Sequence, residues 1–418
     1  MKKSFGSGTS IVVENCQICG NHKLEPIIFL GYLPPVNQLH KIGENPKEEP
    51  SYPAQLLHCE KCNLVQLGLI VDPKVLFPKE YPYTSSTTKI LRDNFAELYK
   101  ECKTTLNLEK DDLVIDIGSN DGNLLSNFKD NHKVLGVTPE ELGKIAIERG
   151  IPTMLDYFNG NTVKKIKKEY GKAKVITATN VFAHIENINE ITELIIGILE
   201  DDGIFISESH YLLPLVKTLQ YDTIYHEHLR YYSLHSLKYL LEKHGLEIIH
   251  AKEIPTHGGS IRVYAARKDT YHVRESVNKI LGWEKKKIIN KNNLINFKNR
   301  VVLSKLRLCS LLLNIKNKNQ RIYGISAPSR ASTLINYVGL DDGVIDYVME
   351  VKGSHKIGKY VPGTLIPIVE ESKLFEEQPE YALLLSWHIA EELMPKLREK
   401  GFNGKFIVPL PHPKIVTL

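Results

Sequence analysis

Nowhere in the 418 residues does an uninterrupted apolar run reach membrane-spanning length, and cysteine is scarce, with six in all. The first absence argues against a spanning helix. The second makes any grouping of cysteines informative. The start, Met1 to Ser10, is polar and lacks the apolar core of a secretion signal. Charge of one sign is not in large excess either: the net charge is +5, with Lys and Asn concentrated between Lys285 and Lys318. That distribution reads as a solvated helix face rather than a nucleic-acid footprint. Neither a membrane nor a nucleic acid is therefore expected as a partner, and the cytoplasm is the expected compartment. A chain of this length exceeds a single core, so two or three domains are expected.

Four of the cysteines are grouped as Cys16-x-x-Cys19 and, about forty residues on, Cys59-x-x-Cys62. Each CxxC turn presents two sulfurs to one face, and two such turns complete a tetrahedron around Zn²⁺ with no position left for water. That closed shell implies a structural zinc ion. Disulfides or plain buried thiols suit a matched pair of CxxC turns less well. Thiols able to hold zinc also suit a reducing compartment. Cys102 and Cys309 read as core residues.

The organisation falls into three parts. Residues 1–80 form a turn-rich zinc-binding module whose segment Leu30 to Asn37 is too broken by Gly and Pro for a helix. Its thin apolar content predicts metal-dependent folding. Residues 81–272 begin with helical periodicity from Thr88 to Leu106, then switch to strand-sized runs at Leu113–Ile117, Lys133–Val137, Val175–Thr179 and Gly203–Ser207 with amphipathic stretches between. This rhythm predicts an α/β fold, a mainly parallel sheet covered by helices. Residues 273–418 open with a basic helical stretch to about Asn317. They then restart the alternation at Arg321–Ser326, Val344–Val348 and Tyr381–Ser386, with a helix over Ile389–Lys400, so a second α/β domain is expected.

Val114-Ile-Asp116-Ile-Gly118-Ser-Asn120-Asp121-Gly122 sits where a first strand turns into a helix, a place where glycines let the backbone approach a ligand. The spacing is neither the dinucleotide GxGxxG nor a P-loop. It resembles motif I of class I S-adenosylmethionine-dependent methyltransferases. In that fold the second strand usually ends in an acid that accepts both ribose hydroxyls, whereas Thr138 stands there in this chain, and one hydroxyl is not a bidentate acceptor. Either Glu140 or Glu141 reaches back, or the ribose contacts are weaker, or a different ligand is bound. The densest chemical cluster is Tyr225-His226-Glu227-His228, followed by Arg230 and Tyr231-Tyr232-Ser233, which offers a general base, a carboxylate to orient it and donors for an oxyanion. Consecutive positions on one short segment diverge, so acid–base work suits them better than a metal. His184, with Asn180, follows the expected strand Val175–Thr179 at the carboxyl edge where α/β sheets bind ligands. Tyr81, Tyr83, Ser85 and Ser86 could meet a phosphate or cofactor, or cap a helix. His257-Gly258-Gly259-Ser260 could bring backbone close to a substrate, or form an ordinary glycine turn.

Together these residues resemble the nucleotide-sugar C-methyltransferases over essentially the whole chain. The four-cysteine module, Tyr-x-Tyr-x-Ser-Ser, VIDIGSNDG, NVFAHI, IYHEHLRYYS, HGGS, KIGKYVPGTLIPI and GKFIVPLPHP carry the likeness. The resemblance implies a class I methyltransferase (Rossmann-like) core between the zinc module and a C-terminal Rossmann-like domain. It also implies S-adenosylmethionine and Zn²⁺ as cofactors and a nucleoside-diphosphate-linked deoxy-keto-sugar as the small-molecule substrate. Carried over by motif, Asp116, Gly118, Asn120, Asp121, Gly122, Thr138 and Asn180 would hold the cofactor. His228 would remove the proton α to the ketone, Glu227 and Tyr225 would support it or the enolate, and His184 would lie near the reacting sugar. Tyr81, Tyr83, Ser85, Ser86, His257, Arg330 and Lys356 are the expected substrate contacts. Arg330 stands where relatives more often show Lys in a glycine-containing loop, and Val348 to Lys352 lacks an Asp-x-Asn-Pro-type stretch, which leaves the nucleotide and sugar open. Methylation at oxygen or nitrogen, or a zinc-ribbon nucleic-acid binder on a degenerate fold, are the competing readings. Three domains enclosing a ligand can act as a monomer, the expected state.

Overall fold

The computed structural model describes residues 10–45, 48–77, 88–106, 108–289 and 291–417. Its central sheet has seven strands, labelled here β1 (Leu113–Ile117), β2 (Lys133–Val137), β3 (Thr153–Met154), β4 (Ala173–Thr179), β5 (Leu199–His210), β6 (Leu246–Ile254) and β7 (Ser260–Arg267). Their spatial order is β6-β7-β5-β4-β1-β2-β3. β7 runs antiparallel to both neighbours and the other pairings are parallel. This is the class I methyltransferase arrangement. β1 is buried at every position, as an apolar run covered on both faces should be. The chain order reverses between β1 and β4, and that switch point opens a crevice at their carboxyl ends. β5 extends three residues beyond the expected Gly203–Ser207 to His210, which carries that histidine to the same edge.

The third part repeats the plan. Strand Ile322–Ile325 pairs in parallel with Tyr347–Glu350 on one side and Tyr381–Leu384 on the other, so a second switch point lies between the first and last of these. The expected strand Val344–Val348 is displaced toward Glu350 because the amides of Val344 and Ile345 donate to the Asp341 carbonyl and are spent in a turn. The expected single helical stretch after residue 273 is two helices, Glu275–Lys287 and Lys291–Lys316. Cys102 is buried, and Cys309, half-buried on the second of these helices, packs against the C-terminal core.

The N-terminal module contains strands Glu25–Leu33, Tyr52–His58 and Val65–Leu67, and its fourth strand is Arg230–Tyr231, supplied by the middle of the chain. The segment Leu30 to Asn37 is not helical, as expected: its first part, Leu30–Leu33, is strand, with Gly31 at φ 94° beside a register shift. Apolar content is thin locally because the module shares its core. Ile28, Leu30, Leu33, Leu56 and Leu67 pack with the C-terminal sheet, while Ile18 and Leu64 pack with the central one. No helix among the described residues is long and apolar enough to cross a membrane.

Candidate active site and metal centre

The four thiols meet as the spacing requires. One sulfur from each of Cys16, Cys19, Cys59 and Cys62 lies within 4.8 Å of all the others, and all four cysteines are free. Each knuckle turns back on itself, the Gly20 amide donating to the Cys16 carbonyl and the Asn63 amide to the Cys59 carbonyl, with both turning residues at positive φ. Four sulfurs at this separation fit a zinc ion with bonds of about 2.3 Å and leave no open position, which assigns the site to structure. The Asn21 side-chain amide donates to Cys59 Sγ at 3.6 Å and supports the thiolate charge.

At the first switch point the chain leaves β1 through Gly118 at φ 74° and Gly122 at φ 77°. A Cβ at Gly118 would lie 2.3 Å from Val181 Cγ2, so only glycine lets this turn pass under the β4 exit. Asp116 is fully buried and accepts from Thr177 Oγ1 at 2.6 Å; burial pushes its carboxyl up to about 7. Its place is beneath the loop, anchoring it. Asp121 is likewise engaged, accepting from Arg149 at 3.1 Å. Beyond β2, Thr138 is buried against the β3 side of the loop. Of the two neighbouring acids, Glu140 reaches back: its Oε2 accepts from Asn120 Nδ2 at 2.9 Å, and burial pushes its carboxyl up. Glu141 instead pairs with Lys144 at the surface. Asn180 sits at the β4 end with φ 59° and donates its amide to the Glu208 carbonyl.

The segment Tyr225–His228 is stitched to the loop that carries His184. The Leu229 amide donates to the Ala183 carbonyl at 2.9 Å, Arg230 donates to the carbonyls of Ile185 and Glu186, and the Tyr232 hydroxyl donates to the Phe182 carbonyl. Because Arg230–Tyr231 is also a strand of the zinc module, the motif is clamped from both sides. The neighbouring positions diverge as expected. His226 turns to the zinc module, donating from Nε2 to the Pro53 carbonyl at 3.3 Å and packing on Tyr52. Glu227 accepts from Asn37 Nδ2 at 2.6 Å. His228 faces the sheet edge, where its ring centroid lies 4.3 Å from Tyr225, 5.1 Å from His184 and 6.1 Å from His210.

The His228 tautomer follows from its partner. Nδ1 lies 2.9 Å from the Thr223 carbonyl, which can only accept, so Nδ1 carries the hydrogen and the neutral ring presents Nε2 as an acceptor. Burial, reinforced by the neighbouring His184, pushes the ring down to about 3. Burial pushes His184 and His257 to about 4 and His388 to about 3, with Arg330 adding to the last two shifts. His184 Nδ1, both His210 nitrogens, His257 Nε2 and His388 Nδ1 are buried without a hydrogen-bond partner among the described residues. Orphaned polar atoms in such number are costly in an empty core and suit a polar ligand.

The far wall comes from the C-terminal domain. Arg330 makes a two-pronged contact with Asp222, 2.7 Å from Nε and 2.8 Å from Nη2, and lies over the Trp387 ring, whose Nε1 donates to the same carboxylate at 2.7 Å. Its guanidinium thus ties two domains together beside the histidines. Lys356 is half-buried, donates to the Ala327 carbonyl at 2.5 Å and lies in the field of Glu350 and Glu227. His257 enters the cleft at φ 55°, while Gly258 and Gly259 pack closely on Gln220 and Pro214, so that turn brings backbone to protein. Tyr81, Tyr83, Ser85 and Ser86 lie outside the described residues.

Three family models match consecutive parts of the chain: a zinc binding domain over residues 16–77, a methyltransferase domain over 87–251 and a C-methyltransferase C-terminal domain over 255–411. The chain is also 31% identical over 410 residues, 97% of its own length and 97% of the relative's, to the C-methyltransferase NovU of Streptomyces niveus. The chain belongs to this C-methyltransferase family. Among solved structures it is similar to the magnesium protoporphyrin IX methyltransferase of Synechocystis with bound S-adenosylmethionine, at 15% identity over 42% of this chain and 79% of that one, TM-score 0.33. It is also similar to an S-adenosylmethionine-dependent methyltransferase from Clostridium acetobutylicum, at 13% identity over 44% of this chain and 93% of that one, TM-score 0.32.

For a C-methyltransferase, the cleft residues that sequence reading missed are Asn37, His210, Gln220, Asp222, Trp387 and His388. A signal existed for three of them. His210 ends a strand and Trp387 and His388 follow one, each at a carboxyl edge, the criterion that singled out His184.

Proposed function

We propose that this C-methyltransferase moves a methyl group from S-adenosylmethionine to a carbon beside the ketone of a nucleoside-diphosphate-linked deoxy-keto-sugar, by way of an enolate. The observation that carries the reading is His228: a buried, neutral imidazole with its acceptor nitrogen fixed by Thr223, at the sheet edge that bears the glycine loop. Gly118, Asn120, Gly122 and Asn180 would hold the methyl donor, with Glu140 in place of Thr138 as the carboxylate within reach of the ribose; Asp116 and Asp121 would brace the loop. When bound, that donor supplies an electrophilic methyl on sulfur.

His228 Nε2 takes the proton from the carbon α to the ketone. A ring held near 3 is a weak base in the empty site, so the charge developing on the substrate oxygen must supply the attraction that raises it during the step. Tyr225, whose ring lies against His228, is the donor for that oxygen. Positioning the carbanion about 3–3.5 Å from the methyl supplies much of the rest. His257 and Lys356 suit the sugar nucleotide, whereas Arg330 acts through its bond to Asp222. The test is to incubate the enzyme with S-adenosylmethionine and a thymidine-diphosphate-linked 4-keto-6-deoxyhexose and to locate the new methyl by fragmentation. A carbon-bound methyl is expected; a methyl on oxygen or nitrogen would refute the enolate.

A further inference from the structure

The carboxylate of Glu227 is held by all three parts of the chain. Glu227 itself belongs to the middle domain and is 3% exposed. The zinc module contributes Asn37, whose Nδ2 donates to Glu227 Oε1 at 2.6 Å. The C-terminal domain contributes the nearby Lys356 charge, and Ser329, whose Oγ lies 3.5 Å from Asn37 Oδ1 on the other side of the amide. The amide is presented by a stiff turn. Strand Glu25–Leu33 ends in Pro34-Pro35, whose φ angles are fixed by their rings, and the Pro35 carbonyl accepts from the Gln38 amide at 3.1 Å. Pro34 sits so close to Gly363 that a Cβ there would be 2.8 Å from the proline ring. Val36 and Leu39 line a small cavity with Ala331, Ser332 and Lys356.

From this we infer that Asn37 is a positioning residue for methyl transfer, the donor by which the zinc module sets the direction and charge of Glu227 beside His228. The inference rests on the reading of Glu227 as part of the reacting site. An amide in this place donates one hydrogen to the carboxylate without competing for a proton. A carboxylate in its place would present an acceptor to an acceptor, and the two would repel or share a proton. The zinc module is then one wall of the active site as well as a packing element.

The test is a double-substitution cycle. Asn37→Asp keeps the side chain's size and reverses its hydrogen-bonding sense, while Glu227→Gln supplies an amide able to donate back. With S-adenosylmethionine and the thymidine-diphosphate-linked 4-keto-6-deoxyhexose as probe, Asn37→Asp should lower kcat about ten- to a hundredfold, the range expected for a lost bond to a charged group. KM should stay within about twofold, since the loss lies in the reacting step. In the Glu227→Gln background the same substitution should change kcat less than about threefold, because the pair is restored with donor and acceptor exchanged. Melting temperatures give an answer that needs no turnover: Asn37→Asp should destabilise the wild-type background and not the Glu227→Gln one. Equal effects in both backgrounds, or a change confined to KM, would overturn the inference. If melting temperatures show the coupling but wild-type protein leaves the probe unmethylated, the reading of the reaction fails and the bond between the two side chains stands.

Discussion

The two α/β sheets present the same topological feature and use it differently. In the central sheet the switch point between β1 and β4 is opened by Gly118 and Gly122, and the loop's Asn120 is met from across the mouth by Glu140. In the C-terminal sheet the equivalent strand ends are tied by side-chain bonds. Ser326 donates to Ser386 at 2.5 Å across the two strand ends, Pro328 stands at the start of helix Ser329–Val338, and Arg330 on its first turn is committed to Asp222. The central switch point is therefore built on a glycine turn at the strand end. The C-terminal one is instead tied to the middle domain through Asp222, forming a wall that carries Trp387 and His388. A repeated fold does not repeat its function; the side chains at the strand ends make the difference.

The strongest way to break this contrast is to release the wall. Arg330→Met removes one partner of a buried ion pair and leaves Asp222 charged and uncompensated, so the protein should lose about 3–5 kcal/mol of stability in urea unfolding. A loss below about 1 kcal/mol would mean that the pair does not tie the domains together. The next largest effect separates the crevices directly. Gly118→Ala forces a side chain into a left-handed turn at about 1–2 kcal/mol and into Val181 as well. It should weaken S-adenosylmethionine binding about a hundredfold by calorimetry, while Ser329→Ala on the C-terminal side should leave it within about twofold. Equal losses would place the methyl donor elsewhere.

The smallest effect comes from the histidines along the cleft. His184, His228, His257 and His388 are held at about 3–4, below the ordinary 6.5. Between those values the unfolded chain binds protons that the folded one refuses, so stability is highest above 6.5 and falls as the pH drops through this window. The decline should be roughly 1.4 kcal/mol per pH unit for each ring kept neutral. His388→Asn should remove one share of that slope, measured as the difference in unfolding free energy between pH 6.5 and pH 5. An unchanged slope would mean that His388 is not kept neutral in the folded protein.

How much of this could be read beforehand depended on distance along the chain. The cysteine knuckles, the β1 loop and the Tyr225–His228 cluster are local patterns, and the fold places each where its spacing implied. Which of Glu140 and Glu141 turns to the glycine loop depends on the path of the chain after β2, and it is Glu140 that bonds Asn120. Asn37 lies 190 residues from Glu227, and Trp387 lies 165 from Asp222. Single polar residues of this kind carry no period or spacing, and their meaning arises only when domains close on one another. The packing of the zinc module is hidden from its own segment for the same reason. Its sheet borrows Arg230–Tyr231 and its core borrows from both neighbours, so its own composition understated how well it packs.

The proposed reaction requires His228 to remove the proton from the sugar carbon before any methyl moves. The direct measurement is proton exchange in D₂O, followed by NMR at the position α to the ketone, with S-adenosylhomocysteine replacing the methyl donor so that no transfer competes. Wild-type enzyme should exchange that proton, and His228→Ala, folded as judged by its melting temperature and zinc content, should exchange it no faster than buffer. Exchange by the variant at the wild-type rate would contradict the account.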